Sequence, residues 1–341
     1  MRKTDVLVVG GGPAGLVAAW EAAANGKDLD VLLIERDRAI GTPVRCAEGV
    51  GSAGLKEFMS PDGADWVSRR ITKVIFWAPD DTEVLVGGGD VGYVLDRTRF
   101  EPAIADEARR AGAEILIRTE AMAMERLNGA WKVRLEGPRG AEDVLARVVI
   151  GADGVESMIV RWAGLDTRVA SRDMESCAQY VVSNITFDPD AIYLHFAQQW
   201  APGGYAWIFP KGVGVANVGL GMIALKGDGR MARQYLDAYV AKYFPNGNVT
   251  SLTVGGVIAG LTVKRCATDG VMLAGDAAHM INPLSGGGIV NAMKGGRLAG
   301  RHAAAAILEG DTSAKRLQRH HDDWMQLLGE DHIKYYRMKE A

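Results

Sequence analysis

The sequence predicts an α/β fold built around a parallel sheet, with a second, antiparallel sheet interleaved in the chain and a short C-terminal helical segment. Three observations predict it. The apolar run Val6–Val9 leads at once into Gly10-Gly11-Gly12-Pro13-Ala14-Gly15 and the alanine-rich stretch Leu16–Ala24, which reads as strand, glycine turn and helix. A second apolar run, Val31–Ile34, follows and ends on Glu35. Far along the chain a second glycine-rich site recurs, Val271-Met272-Leu273-Ala274-Gly275-Asp276 and then Ser285-Gly286-Gly287-Gly288-Ile289.

The first site has the form of a Rossmann-like dinucleotide clamp. In Gly10-x-Gly12-x-x-Gly15, one glycine makes the tight turn, one lets the main chain approach a pyrophosphate, and one lets helix pack on strand. The amides and dipole at the N-terminus of the following helix favour phosphate charge. Glu35 stands about 20 residues beyond the last glycine, where a carboxylate reaches a ribose hydroxyl. Two glycine-rich sites bracketing most of the chain point to one extended cofactor gripped at both ends, FAD.

The chain has 341 residues, 48% hydrophobic and 24% charged, which is long enough for two domains and ordinary for a globular enzyme. A net charge of −3 gives no sign of nucleic-acid binding. Cys46, Cys177 and Cys266 are scattered, odd in number and form no CxxC pair. That argues for a reducing compartment and against a disulfide framework, a zinc site or an iron–sulfur cluster. The first strand starts almost at Met1, so no signal peptide is expected, and no apolar run is long enough to span a membrane. A cytoplasmic enzyme is expected.

Between the glycine sites the chain alternates between layers. Residues 69–95 alternate apolar and polar around Ile71, Val74 and Phe76, then Val84 and Val86, and reach Gly87-Gly88-Gly89. They read as antiparallel strands ending in a glycine turn. Arg97–Ala111 reads as a helix with Asp106, Glu107, Arg109 and Arg110 on its polar side. Ile115–Ile117, Met122–Leu127, Trp131–Leu135 and Val144–Ile150 read as strands, the last ending in Gly151-Ala152-Asp153-Gly154. Residues 174–260 hold short strands and an amphipathic helix over Arg230–Tyr243. The tail 312–336 reads as a charged helix with His320 and His321 on a solvated face, and Glu48 as a loop acid. His279 reads as a packed or capping histidine. The domain plan is a discontinuous cofactor domain over 1–68, 96–165 and 261–310, a substrate sheet over 69–95 and 166–260, and a C-terminal helix over 311–341.

Gly151-Ala152-Asp153-Gly154 with Ser157 adds a third motif. GxGxxG, this DG turn and the late Gly275-Asp276, in that order, resemble the FAD-dependent oxidoreductases of the p-hydroxybenzoate hydroxylase superfamily. The resemblance implies that Asp276 meets the ribityl chain of FAD and that the helix start at Gly287, Gly288 and Ile289 points at the flavin ring. A helix N-terminus stabilises the anionic edge of a reduced flavin by ~0.3–1 kcal/mol.

A sharper marker is Pro202-Gly203-Gly204-Tyr205-Ala206-Trp207-Ile208-Phe209-Pro210-Lys211. It matches the PxxYxWxFP pattern of the geranylgeranyl reductase family. Gly41-Thr42-Pro43-Val44-Arg45-Cys46-Ala47-Glu48-Gly49 resembles that family's segment with a cysteine close to the flavin, and Gly92-Tyr93-Val94-Leu95-Asp96-Arg97 its FAD-contacting arginine. The resemblance covers roughly residues 1–310. It implies cofactor contacts from Gly10, Gly12, Ala14, Gly15, Glu35, Arg36, Arg45, Cys46, Ala47, Gly49, Arg97, Ala121, Asp153, Asp276, Gly287, Gly288 and Ile289. Cys46 is the candidate catalytic residue, shaping the pocket or taking part in proton delivery; Tyr205, Trp207, Phe209 and Pro210 are the candidate substrate residues. On a strand Tyr205, Trp207 and Phe209 share one face, an apolar wall suited to a polyprenyl chain, with Pro202 and Pro210 bracketing the strand.

The reaction the resemblance implies is saturation of geranylgeranyl double bonds by hydride from reduced FAD, on a glycerolipid, a chlorophyll precursor or a free diphosphate. Site positioning and water exclusion are needed because an isolated alkene is a poor hydride acceptor. NADPH, NADH and ferredoxin remain open as electron donors. A lipid substrate implies transient contact with a membrane surface and the donor implies a redox partner; no nucleic acid is expected. The rival readings are a flavin monooxygenase hydroxylating a small aromatic, a quinone-linked dehydrogenase, and a prenyl-lipid binding protein with an inactive flavin site.

Overall fold

The apolar opening of the chain forms β1 (Arg2–Val9), with Val6, Leu7 and Val8 fully enclosed, in a computed structural model that describes residues 1–341. Contacts divide the chain into two units, residues 1–43, 101–168 and 259–341 in the first and 44–100 and 169–258 in the second. In chain order the first unit begins with β1, α1 (Pro13–Asn25) and β2 (Val31–Ile34). The second takes β3 (Gly49–Gly51), α2 (Ser52–Lys56), β4 (Val67–Trp77) and β5 (Glu83–Leu95). After α3 (Arg97–Arg110), the first unit resumes with β6 (Glu114–Leu116), β7 (Glu120–Leu127), β8 (Ala130–Gly137), β9 (Gly140–Gly151) and α4 (Met158–Trp162). The second unit continues with β10 (Met174–Ser183), β11 (Ala191–His195), β12 (Tyr205–Gly212), β13 (Val215–Ile223), α5 (Ala232–Tyr243) and β14 (Asn248–Ile258). The first closes with β15 (Ala267–Thr268), β16 (Val271–Leu273), α6 (Ile289–Glu309) and α7 (Ala314–Glu340).

In the first unit β16, β9, β1, β2 and β6 lie side by side and parallel. Their order decides what meets. Gly10 follows β1, Glu35 follows β2, Ala152-Asp153 follow β9, and Gly275-Asp276 come one residue after β16. Stretches far apart in sequence thus leave the sheet at its carboxyl edge, where doubly wound sheets bind ligands. Helix α6 lies close on α1, because Gly296 and Gly300 bring its backbone against the Ala14 and Ala18 carbonyls, where a Cβ would clash. Arg297 and Arg301 hold Glu21 of α1 at 3.2 and 2.8 Å.

Helix α7 departs from the reading of a solvated face. His320 is fully enclosed and His321 nearly so, and Arg316 is buried against Glu309 at 2.6 Å. His320 lies with its ring nitrogens 2.7 and 2.8 Å from the Leu317 and Leu273 carbonyl oxygens. Burial drives its pKa down to about 4, with those carbonyls pulling the other way. His332 on the same helix accepts the Thr262 N–H at Nε2, 3.0 Å away. The polar residues of α7 tie it to the sheet, so a composition-based reading of its face fails.

The second unit is one eight-stranded sheet in the order β14-β10-β13-β12-β11-β4-β5-β3. Only β11 and β4 run parallel. On one side α5 packs Tyr235, Leu236 and Tyr239 against Tyr180, Val182 and Ile208. Three expectations shift here. Gly87-Gly88-Gly89 is no turn: β5 runs through it, and irregularities in the β4–β5 ladder take up the glycines, while the chain reverses at Ala78–Thr82. Pro210 does not end β12, which continues to Gly212 past a bulge. Residues 44–68 group with the second unit, because β3 pairs with β5.

Candidate functional site

In the first unit the glycine turn is built by backbone contact. A Cβ at Gly15 would overlap the Gly10 carbonyl, so α1 can start this close to β1 only with glycine there. Gly12 caps α1 with no side-chain hydrogen bond, and no atom stands within 4 Å of where its Cβ would be. Glu35 braces the turn, its Oε2 accepting the Gly11 N–H at 2.6 Å and its Oε1 the Asp37 N–H at 2.7 Å. Arg36 beside it is exposed.

Asp153 is spent on its own turn. Its Oδ1 accepts from the Ser157 hydroxyl at 2.6 Å, and its Oδ2 from the Met158 and Ile159 N–H groups at 2.8 and 3.1 Å. Asp276 is the second residue of a one-turn helix, Gly275–Ala278, which His279 ends in the left-handed conformation. His279 is buried and donates its backbone N–H to the Asp276 carbonyl at 3.0 Å. A cavity of about 540 Å³, lined by Ser157, Arg161, Arg168, Asp276 and His279 among others, lies beside these turns. The 21-residue helix α6 starts at Ile289 behind Gly287 and Gly288, with no side-chain cap on its first amides. Ala121 lies on β7, packed against the core of this unit.

An open approach at Gly12, two uncapped helix N-termini and a cavity beside Asp276 on one sheet edge fit a dinucleotide: bare amides for the pyrophosphate and room for the rest. Gly10, Gly12, Ala14, Gly15, Glu35, Asp276 and Gly287–Ile289 would hold FAD.

In the second unit the face opposite α5 carries the aromatic run. Tyr205, Trp207 and Phe209 pair across to Gly221, Gly219 and Asn217 of β13. Their rings follow one another at 5.9 and 6.4 Å between centroids. The indole of Trp207 lies on Gly219, 2.5 Å from where a Cβ would stand, and the ring of Phe209 lies on Gly49 at the same spacing. Burial raises the Tyr205 phenol, with Glu175 and Cys177 adding to it, so it keeps its proton. The Cys177 thiol is pushed up to about 12, first by burial.

Sequence reading missed what joins this face to the Cys46 loop. Gln179 accepts the Trp207 Nε1–H at its Oε1 and donates from Nε2 to the Cys46 carbonyl, both at 3.0 Å. Glu48 is a buried anchor rather than a loop acid. Its Oε2 takes Lys211 Nζ at 2.6 Å and Asn217 Nδ2 at 2.9 Å, and its Oε1 the Arg97 backbone N–H at 2.9 Å. Lys211 also donates to the Leu95 carbonyl and Asn217 to the Ala47 carbonyl. Cys46 Sγ accepts the Glu48 N–H at 3.2 Å, and Arg45 is exposed. One signal was readable: Lys211 adjoins the PxxYxWxFP run, two residues after Phe209.

Comparison with known proteins adds family, sequence and structural matches. The family model described as FAD dependent oxidoreductase matches residues 5–202, and the one described as geranylgeranyl reductase catalytic domain matches residues 173–258. Digeranylgeranylglycerophospholipid reductases of Methanocella arvoryzae and Methanosphaerula palustris are 44% and 43% identical, covering 99% and 98% of this chain and 86% and 85% of those proteins. The crystal structure of a geranylgeranyl bacteriochlorophyll reductase-like protein from Thermoplasma acidophilum superposes with a TM-score of 0.94 at 34% identity, over 100% of this chain and 87% of that one. A flavin-dependent brominase at 17% identity and TM-score 0.80, covering 98% of this chain and 88% of its own, shares the fold.

Proposed function

The chain belongs to the FAD-dependent oxidoreductases and, within them, to the digeranylgeranylglycerophospholipid reductase family, and on that premise we propose how its residues divide the work. It is an FAD-dependent reductase of prenyl chains, with an isoprenoid lipid as substrate. Bound FAD, once reduced, supplies the hydride that saturates a prenyl double bond.

The first unit acts as the cofactor unit. Gly10, Gly12, Ala14 and Gly15 would offer the pyrophosphate a main-chain cradle, and Glu35, which keeps that cradle in shape, would meet the ribose. Asp276 would take the ribityl chain, and the amides of Gly287–Ile289 would serve the flavin ring. Asp153 works at one remove, holding the DG turn through the start of α4.

The second unit acts as the chain-binding unit. Tyr205, Trp207 and Phe209 form the wall that positions the alkene and keeps water off it, while Pro210, expected beside them, alternates to the α5 side of β12 opposite Ala216. The Tyr205 hydroxyl and Cys177 thiol stay protonated beside it. Cys46 would serve the reacting carbons, with Arg45, Ala47, Gly49 and Arg97 in its loop and at its anchor. The observation that carries this reading is the hydrogen-bonded link Trp207–Gln179–Cys46, which ties the wall to the cysteine. No helix is long and apolar enough to cross a membrane, and the substrate is met by transient contact with a bilayer surface. The electrons come from a nicotinamide nucleotide or a ferredoxin.

The test is mass spectrometry of geranylgeranyl lipids incubated anaerobically with the reduced protein. Gain of two hydrogens per double bond, diminished in Trp207→Ala, is expected. Full reduction of the flavin with no hydrogen gained by any prenyl compound would sink the assignment of the wall.

A further inference from the structure

The aromatic contact does not stop at Tyr205. Its ring meets that of Phe196 at 5.6 Å between centroids, and Phe196 meets Phe76 edge-on at 5.0 Å. Neither belongs to the PxxYxWxFP run. The pairing explains why they line up. Leu194 of β11 sits opposite Phe76 on β4 and Trp207 on β12, so the three share one face, and Phe196, two residues on from Leu194, continues it. On the far side Phe76 pairs with Val84, which is 50% exposed, followed by Leu85 and Val86 at 65% and 51%. Phe196 itself is 41% exposed, whereas Trp207 is 8%. Within the second unit, then, one row runs from Phe209 through Trp207, Tyr205, Phe196 and Phe76 to Val84, with Trp207 its most enclosed member and Phe196 and Val84 its most open.

We propose that Phe196, Phe76 and Val84 are the distal end of the isoprenoid track and set the chain length the enzyme prefers. The proposal rests on the reading of Tyr205, Trp207 and Phe209 as the prenyl wall. Five rings in sequence, spaced 5.0–6.4 Å, present repeating apolar contact to a repeating apolar ligand. Apolar side chains left this open in one row mark a binding surface. The chemistry of the row selects which end of the lipid lies there. Phe196, Phe76 and Val84 are apolar and offer a phosphate-bearing headgroup no cation, which leaves the hydrocarbon tail as occupant, continuous with the wall at Tyr205.

The experiment measures kcat/KM for geranyl, farnesyl and geranylgeranyl compounds with one common headgroup, using FAD-loaded wild type, Phe196→Ala, Val84→Ser and Trp207→Ala. Phe196→Ala is expected to lower the value for the geranylgeranyl compound about tenfold, the effect of losing one partly buried aromatic contact, and to leave the geranyl compound within about twofold. Val84→Ser should show the same length dependence more weakly, and its exposed site keeps folding intact. Trp207→Ala should depress all three lengths alike. Equal losses at every length in Phe196→Ala, or none, while Trp207→Ala still depresses all three, would overturn the track and leave the wall standing. No effect of Trp207→Ala at any length would overturn both. Loss of binding to neutral phospholipid vesicles with length preference intact would assign the open residues to a bilayer contact and overturn the proposal as well.

Discussion

The carboxyl edge of the first unit and the aromatic face of the second are built on opposite plans. At the edge each part is a short contiguous motif, and what it offers a ligand is backbone: Gly12, the α1 N-terminus and the start of α6 present amides. On the face, what is offered is side chains, and their support comes from remote strands. Trp207 lies on Gly219, Phe209 on Gly49, and the Cys46 loop hangs on Gln179, Lys211 and Asn217. Backbone recognition suits a cofactor of constant structure, because phosphate needs only oriented N–H groups. A flexible apolar chain offers nothing to hydrogen-bond, so it is held by shape and by exclusion of water.

The contrast breaks most sharply at Gly15. Gly15→Val puts side-chain atoms into the Gly10 carbonyl, so the turn must open. FAD should be lost altogether, read as the absence of flavin absorbance in the purified protein, whereas prenyl-chain binding to the second unit should persist.

Next in size is the Glu48–Lys211 pair. Lys211→Met strands a carboxylate that is 4% exposed. The expected cost is about 3 kcal/mol, the low end for breaking a buried pair because the lysine side chain keeps 20% of its surface in water. Thermal unfolding would report it, and a Lys211→Met, Glu48→Gln double variant should recover part of the loss. A single-variant change within experimental error would mean that the pair does not anchor the Cys46 loop.

The edge has its own sensitivity, to acid. His332 takes the Thr262 N–H on Nε2, and burial drives its pKa down to about 4 from the usual 6.5. A lowered histidine pKa means that the unfolded chain binds the proton first. Stability is therefore complete above about pH 6.5 and falls between there and pH 4, by at most about 1.4 kcal/mol per pH unit for one such group. His332→Gln, which keeps an acceptor that does not titrate, should flatten part of that slope in melts at a series of pH values.

The smallest effect sharpens the comparison on the face. Gln179→Ala removes one side chain that serves both Trp207 and the Cys46 carbonyl. It should lower kcat several-fold and move KM little, at a cost of about 1–2 kcal/mol in stability for the hydrogen bonds lost. Gln179→Glu, which still accepts from Trp207 but cannot donate to Cys46, should separate the two bonds. An equal rise in KM would mean that Gln179 shapes the wall alone.

Much of the molecule was legible in the chain itself. The strand–turn–helix at residues 6–24, the second strand ending at Glu35, and the alternation of Tyr205, Trp207 and Phe209 are local patterns, and a local pattern determines local conformation. Sequence also carried the choice of cofactor, through its glycine spacing, and the reaction class, through the resemblance that the contiguous PxxYxWxFP run bears to a known family. Tertiary structure alone decided which remote parts meet. Strand order β16-β9-β1-β2 brings Asp276, Asp153, Gly10 and Glu35 to one edge. Sheet register sets Phe196 and Phe76 in line with Tyr205, and it turns Glu48 from a loop acid into an ion pair with Lys211. Packing of α7 makes polar-looking His320 and His332 part of the interior. The reason is common to all three. A side chain's partners across a sheet or under a helix are chosen by long-range pairing, and no window along the chain contains both members of the pair.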